Sequence, residues 1–212
     1  MRAALFIFAA TLAYPAAEVI DRISVSIGNN NVITESELYR QIRLTALLNE
    51  QKPDLSAQAK RATADRLVEQ ILIRRELDLS RYIGANDKSS VALYEQFKKR
   101  FKNEAAYASA LNEYEITDED VREAFAWQST LLDFIEMRFR PGIQISELDI
   151  RDYYENTLLP ELPKSEPKPP LEAVHSRIEE ILTGQRVDNS LDRWLGNQRT
   201  QTRVRYRREV FQ

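Results

Sequence analysis

The chain has 212 residues, 30% of them charged, with a formal net charge of −3, five glycines, one histidine and no cysteine. That length can bury a sizeable core, and a charge-rich, glycine-poor composition favours helices over a β-sandwich. The composition excludes disulfides, thiolate chemistry, cysteine metal sites and paired-imidazole chemistry. A near-neutral charge gives no global basic field for nucleic acid.

Met1-Arg2 is a short positive start, Ala3 to Ala13 an apolar run, and small residues follow at Ala13, Ala16 and Ala17. The pattern predicts a cleavable export signal over 1–17, with cleavage after Ala13 or after Ala17; the alternative is a buried N-terminal helix. No later apolar run is long enough to span a membrane.

From Glu18 the chain reads as strand, turn, short strand and helix. Val19, Ile23, Val25 and Ile27 alternate, which gives one apolar strand face. Gly28-Asn29-Asn30-Asn31 is turn chemistry, and Val32-Ile33 is a short return strand. Thr34 and Glu37 have the spacing of a capping box at the start of the first long helix, which carries Leu38, Ile42, Leu44, Leu47 and Leu48. Such a hairpin is marginal alone and needs cover, expected from the far C-terminus.

Ser56 opens a second helix to about Tyr82, ended by Gly84, with an apolar stripe of Leu67, Val68, Ile71, Leu72, Leu77 and Leu79. Asp87 caps a third helix from Ser89 to about Lys102, and a fourth spans Glu104 to Tyr114. Thr117 and Asp120 form an aspartate variant of the capping box for a long helix through Phe139, stopped by Pro141-Gly142. Ser146 and Asp149 repeat the signal for a helix to about Leu158.

Pro160, Pro163, Pro167, Pro169 and Pro170 then predict an extended linker over 159–170. The last helix bears Leu171, Val174, Ile178, Ile181, Leu182, Leu191, Trp194 and Leu195, with Gly184 inside it. The end of the chain reads as a strand whose basic face is Arg203, Arg205 and Arg207. That face fits the solvated side of an edge strand, the alternatives being acidic lipid or nucleic acid.

Catalytic signatures are missing: no glycine-rich phosphate loop, no nucleophile elbow and no paired-histidine metal motif. Acid pairs read as caps and solvated faces, and His175 has no visible partner. No catalytic residue, cofactor or metal is therefore expected. Between Tyr94 and Phe139 there is an apolar surplus. On the long helix Trp127, Leu131 and Phe134 follow one face, and Leu132, Ile135 and Phe139 another. A helix apolar over that width is either central to a core or presents a surface to a partner.

Three runs carry a resemblance. Val32-Ile33-Thr34-Glu35-Ser36-Glu37-Leu38 resembles the start of the SurA family of periplasmic chaperones. Asp65-Arg66-Leu67-Val68-Glu69-Gln70-Ile71-Leu72 resembles its second helix. Ile145-Ser146-Glu147-Leu148-Asp149-Ile150-Arg151-Asp152-Tyr153-Tyr154 resembles the helix before the parvulin isomerase domain of longer relatives. The segment from Leu171 to Tyr206 resembles their returning helix and strand. The resemblance implies a mainly α SurA/trigger-factor-like chaperone domain over 18–158, completed by 171–212, with a small sheet made by the N-terminal hairpin and the C-terminal strand. It implies a periplasmic, ATP-independent holdase for unfolded outer-membrane proteins, with Tyr94, Phe97, Phe125, Trp127, Leu131 and Phe134 as candidate client contacts. The chain departs from longer relatives in having only the Pro-rich linker where they insert isomerase domains. It also has a single histidine, so isomerase activity is not expected. An adaptor for one fixed partner remains the other reading.

Overall fold

The computed structural model describes residues 21–80, 87–163 and 167–212. The expected export signal over 1–17, and the second helix's expected end at Tyr82 and Gly84, lie outside the described residues. Strand β1 (Ile23–Ile27) pairs antiparallel with β2 (Asn31–Thr34) through a turn in which Gly28 has φ +58°. The third strand, β3 (Val204–Tyr206), pairs antiparallel with the other side of β1, so the sheet order is β2-β1-β3. Val25 thus lies between Ile33 and Tyr206. The pairing extends past β3 at both ends: Gly28 N–H donates to the Arg203 carbonyl at 2.8 Å, and Arg207 N–H to the Ser24 carbonyl at 2.9 Å. The cover that the hairpin needs is supplied by the C-terminus.

The strand is shorter than its sequence suggests. Arg208–Phe211 turns into a 3₁₀ helix, which tucks Val210 into the core. Alternation across Arg208 therefore does not continue. Arg203, Arg205 and Arg207 are exposed on the edge strand, where charge blocks unwanted pairing.

Among the described residues the main helices are α1 (Glu35–Leu48), α2 (Ala57–Leu79), α3 (Asp87–Lys98), α4 (Glu104–Glu113), α5 (Asp118–Arg138), α6 (Glu147–Tyr153) and α7 (Leu171–Gln201). Thr34 caps α1 by accepting from Glu37 N–H, but the carboxylate at this terminus comes from Asp21 rather than from Glu37. Asp21 accepts from the Ser36 amide and hydroxyl. Both Thr117–Asp120 and Ser146–Asp149 form the complete reciprocal box. Helix α3 begins at Asp87 and stops at Lys98, earlier than expected at both ends. Leu79, assigned to the apolar stripe of α2, is 71% exposed on its last turn.

After α6 the helix widens into a π turn over Tyr154–Leu158 and resumes at Leu159–Glu161. In a regular α-turn the Pro160 ring would meet the carbonyl four residues back, and the wider turn lies where that conflict arises. The linker therefore starts after Glu161. It is tied back by the Tyr154 hydroxyl, which donates to the Pro169 carbonyl at 2.8 Å. Pro170 is the N-cap of α7, one position earlier than a first-turn residue.

Among the described residues three clusters make the core. The first joins the sheet to α1 and α2 through Val25, Ile33, Leu38, Ile42, Leu67, Val68 and Leu72. The second joins the end of α1 to α3, α4 and the start of α5 through Leu44, Leu47, Tyr94, Phe97, Tyr107, Ile116 and Val121. The third joins α2, α5 and α7 through Ile73, Leu77, Phe134 and Leu195. Helix α7 is held at both ends. Arg186 donates to Asp149 of α6 at 2.7 Å, His175 Nε2 lies 3.1 Å from the Glu147 carboxylate, and Arg199 reaches the Asp65 carbonyl at 3.0 Å and Glu69 at 3.1 Å.

Candidate functional site

The width of the apolar surface on α5 has a structural cause. The helix runs between two separate clusters and supplies both. Its N-terminal half gives Val121 and Phe125 to the second cluster, where Phe125 and Phe97 stand with ring centroids 5.7 Å apart. Its C-terminal half gives Trp127, Leu131, Phe134 and Ile135 to the third, where Phe134 packs against Phe139 and Trp194.

The six expected client contacts therefore do not form one surface. Tyr94 and Phe97 are 2% exposed and Phe134 is 4% exposed, so these three are packing residues. Phe125 and Leu131 are partly buried against separate clusters. Trp127 alone of the six lines a cleft of about 420 Å³ between α1, α2 and α5. The apolar part of this cleft is Leu44, Leu48, Leu67, Ile71, Ala124 and Trp127, and its rim is polar, with Glu37, Arg40, Arg74, Asp120 and Glu123. Past Trp127 the cleft meets a second hollow of about 460 Å³, which shares Arg74, Glu123 and Trp127 and adds Leu77 and Thr130.

The rim is organised by charge. Arg40 of α1 donates to Asp120 of α5 at 3.1 Å, which bridges one end of the cleft. Burial pushes the Asp120 carboxyl up, but bonds from the Thr117 hydroxyl and amide and the Arg40 guanidinium outweigh it and hold the group below its ordinary value. Outside the cleft's lining, Arg138 of α5 pairs with Glu76 of α2 at 3.1 Å, a second tie among the cleft's helices. The Arg74 guanidinium lies 4.6 Å from the Trp127 ring centroid, a cation–π contact that covers one face of the indole.

One wall of this region is anchored by Asp118. A single oxygen of its carboxylate accepts from the Tyr94 hydroxyl at 2.6 Å and from the Tyr107 hydroxyl at 2.7 Å, and the other accepts from Arg122 Nε at 2.7 Å. Burial raises its proton affinity, yet these donors prevail and hold the group at about 2. The phenols move the opposite way: burial first, and then the neighbouring carboxylate, push Tyr94 and Tyr107 up. The arrangement fixes the tip of α5 against α3 and α4. It is a clamp on the start of α5.

The rim residues Arg40, Arg74 and Glu123 are not legible in the sequence as a group, because they converge from three helices. One signal pointed there: α1 is apolar on two sides, with Leu38 and Ile42 serving the sheet and Leu44, Leu47 and Leu48 serving something else. Among the described residues no group of three or more His, Asp or Glu side chains is placed to hold a metal ion, and no helix is long and apolar enough to cross a membrane. The architecture is thus a mainly helical one with a small three-stranded antiparallel sheet and a mixed apolar–charged cleft between α1, α2 and α5. The chain matches no protein-family model, and no curated protein matches it.

Proposed function

We propose that this protein is an exported, periplasmic, ATP-independent holdase of the SurA type, and that apolar segments of unfolded outer-membrane proteins lodge in the cleft between α1, α2 and α5. The observation that carries the reading is the cleft itself: an apolar floor with Trp127, an interspersed rim of both charges, and a continuation into a second hollow. That combination suits many sequences, because the floor rewards any apolar side chain and the rim tolerates either charge. The sheet closed by a C-terminal strand, and the short interval between Glu161 and Leu171 where longer relatives insert isomerase domains, support the same reading.

A client aromatic side chain burying about 150–250 Å² gains roughly 5 kcal/mol at about 25 cal/mol per Å². Most of that is offset by restraining the client, so each contact is weak and exchanges fast. The test is light scattering of a urea-diluted outer-membrane β-barrel protein, with and without this chain and without ATP. Suppression that weakens in a folded Trp127→Ala variant supports the reading. No suppression at several-fold molar excess overturns it and leaves an adaptor for one fixed partner.

A further inference from the structure

A hollow of about 480 Å³ lies between the β1–β2 turn, the junction of α7 with β3, and α2, whose Ile71 also lines the cleft. It is lined by Gly28, Asn29, Asn30 and Asn31 from the turn, Gln201, Thr202 and Arg203 from the junction, and Arg75 from α2, with the half-buried Ile71 beside it and the core residues Ile27 and Leu72, each 2% exposed, behind. Its chemistry differs from that of the hollows flanking α5. Carboxylates line each of those: Glu37, Asp120 and Glu123 in the cleft, Asp78 and Glu123 in the hollow past Trp127, and Glu119 and Glu123 in a smaller hollow between α3 and α5 that Tyr94 also lines. This one has two guanidinium groups, four carboxamides and no carboxylate.

Neither guanidinium is used elsewhere. Among the described residues, Arg75 and Arg203 make no ion pair or side-chain hydrogen bond; the same holds for Arg22, Arg74, Arg151, Arg205, Arg207 and Arg208, but of these eight only Arg75 and Arg203 line this hollow. The backbone that carries Arg203 is fixed in place, since its carbonyl accepts from Gly28 N–H at 2.8 Å. Two arginines line one hollow that has no carboxylate in its lining, and an oxyanion there would supply the missing counter-charge. Their forked N–H groups match carboxylate or phosphate oxygens two at a time, and the carboxamides add neutral donors.

We infer that the hollow between the β1–β2 turn and the α7–β3 junction is an oxyanion-binding site, in which Arg75 and Arg203 hold a carboxylate or phosphate and the half-buried Ile71 flanks the group that bears it. The inference does not depend on the holdase reading.

The test is amide NMR of the ¹⁵N-labelled chain at constant ionic strength. The probes are inorganic phosphate, a short apolar peptide with a free C-terminal carboxylate, and the same peptide as its C-terminal amide. Saturable shifts at the Gly28, Asn29, Asn30, Asn31, Thr202 and Arg203 amides are expected. In Arg75→Gln/Arg203→Gln binding weakens about tenfold or more, the scale of one charge-assisted bond lost. Saturation by phosphate assigns a free oxyanion; saturation by the peptide acid but not by its amide or by phosphate assigns a chain end. Because both arginines are exposed and unpaired, the variant should melt like the parent. Arg203→Lys, which keeps the charge and loses the fork, should bind with intermediate affinity. Shifts that never saturate, equal binding of peptide acid and amide, or unchanged affinity in the folded double variant overturn the proposal.

Discussion

The Tyr206 hydroxyl, on the last strand, donates to Asp65 of α2, 141 residues earlier in the chain. The Arg61 guanidinium lies 3.5 Å from the same ring's centroid, and Arg199 from the end of α7 reaches the Asp65 carbonyl. One point on α2 therefore receives both the strand and the helix that close the fold. Burial, then the neighbouring Asp65 carboxylate, push the Tyr206 phenol up to about 12.

That relationship makes the fold sensitive to alkali. The unfolded phenol titrates near about 10, so above that pH the unfolded chain releases a proton that the folded chain retains. The contribution of Tyr206 is complete below pH ~10 and is lost as pH rises through about 12. Tyr206→Phe should lose about 1–2 kcal/mol at neutral pH, the worth of a hydrogen bond to a charged group reduced by the partial exposure of this pair. It should then lose less than the parent between pH 9 and pH 11 (both values chosen around the unfolded value of about 10). Urea midpoints at the two pH values check this, and parallel losses in the two proteins would refute it.

Acid acts on the opposite clamp. Asp118 is held at about 2, below its ordinary 3.8. A depressed carboxyl stabilises the fold above its unfolded value, and that stabilisation disappears as pH falls through the folded one. The window therefore runs from about pH 5 down to about pH 2. Asp118→Asn should be less stable than the parent at neutral pH and should show a shallower acid limb. Circular dichroism melts across that range separate this group from the other carboxylates, which titrate in both proteins.

What the sequence disclosed was local. Reciprocal spacing in Thr117–Asp120 and Ser146–Asp149 gives caps, and alternation in Ile23–Ile27 gives a strand, because those signals depend on neighbours a few residues away. That Asp21, not Glu37, supplies the carboxylate at the α1 terminus was not legible, because it lies fifteen residues from Ser36, beyond any cap spacing. The face of α5 was legible as too wide but not as divided, since nothing in a stripe records how many clusters it meets. The cleft was illegible for the same reason: Arg40, Ile71 and Trp127 become neighbours only when three helices pack.

Two glycines should respond in opposite directions. Gly28 occupies φ +58°, which L residues adopt at a cost of about 1–2 kcal/mol, so Gly28→Ala should destabilise by about that much. Gly184 is an exposed interior residue of α7, and a Cβ there meets nothing within 4 Å. Gly184→Ala should gain up to about 1 kcal/mol in urea unfolding. A destabilised Gly184→Ala would mean that α7 needs the freedom of glycine at that turn.

The division of α5 predicts a contrast between two aromatic residues on one helix. Phe134 is 4% exposed and contacts Phe139 and Trp194, so Phe134→Ala leaves a cavity and should cost about 3–5 kcal/mol. Trp127 is only partly buried, and one of its faces meets the Arg74 guanidinium rather than packed side chains. Truncating it removes a cation–π contact of about 0.5–1 kcal/mol and some burial, without an enclosed void. Trp127→Ala should therefore stay folded with a markedly smaller loss than Phe134→Ala in equilibrium urea unfolding. Equal losses would place Trp127 in the core with Phe134 and remove the cleft's central apolar residue from any role in binding, whereas the predicted gap leaves it free to be tested there.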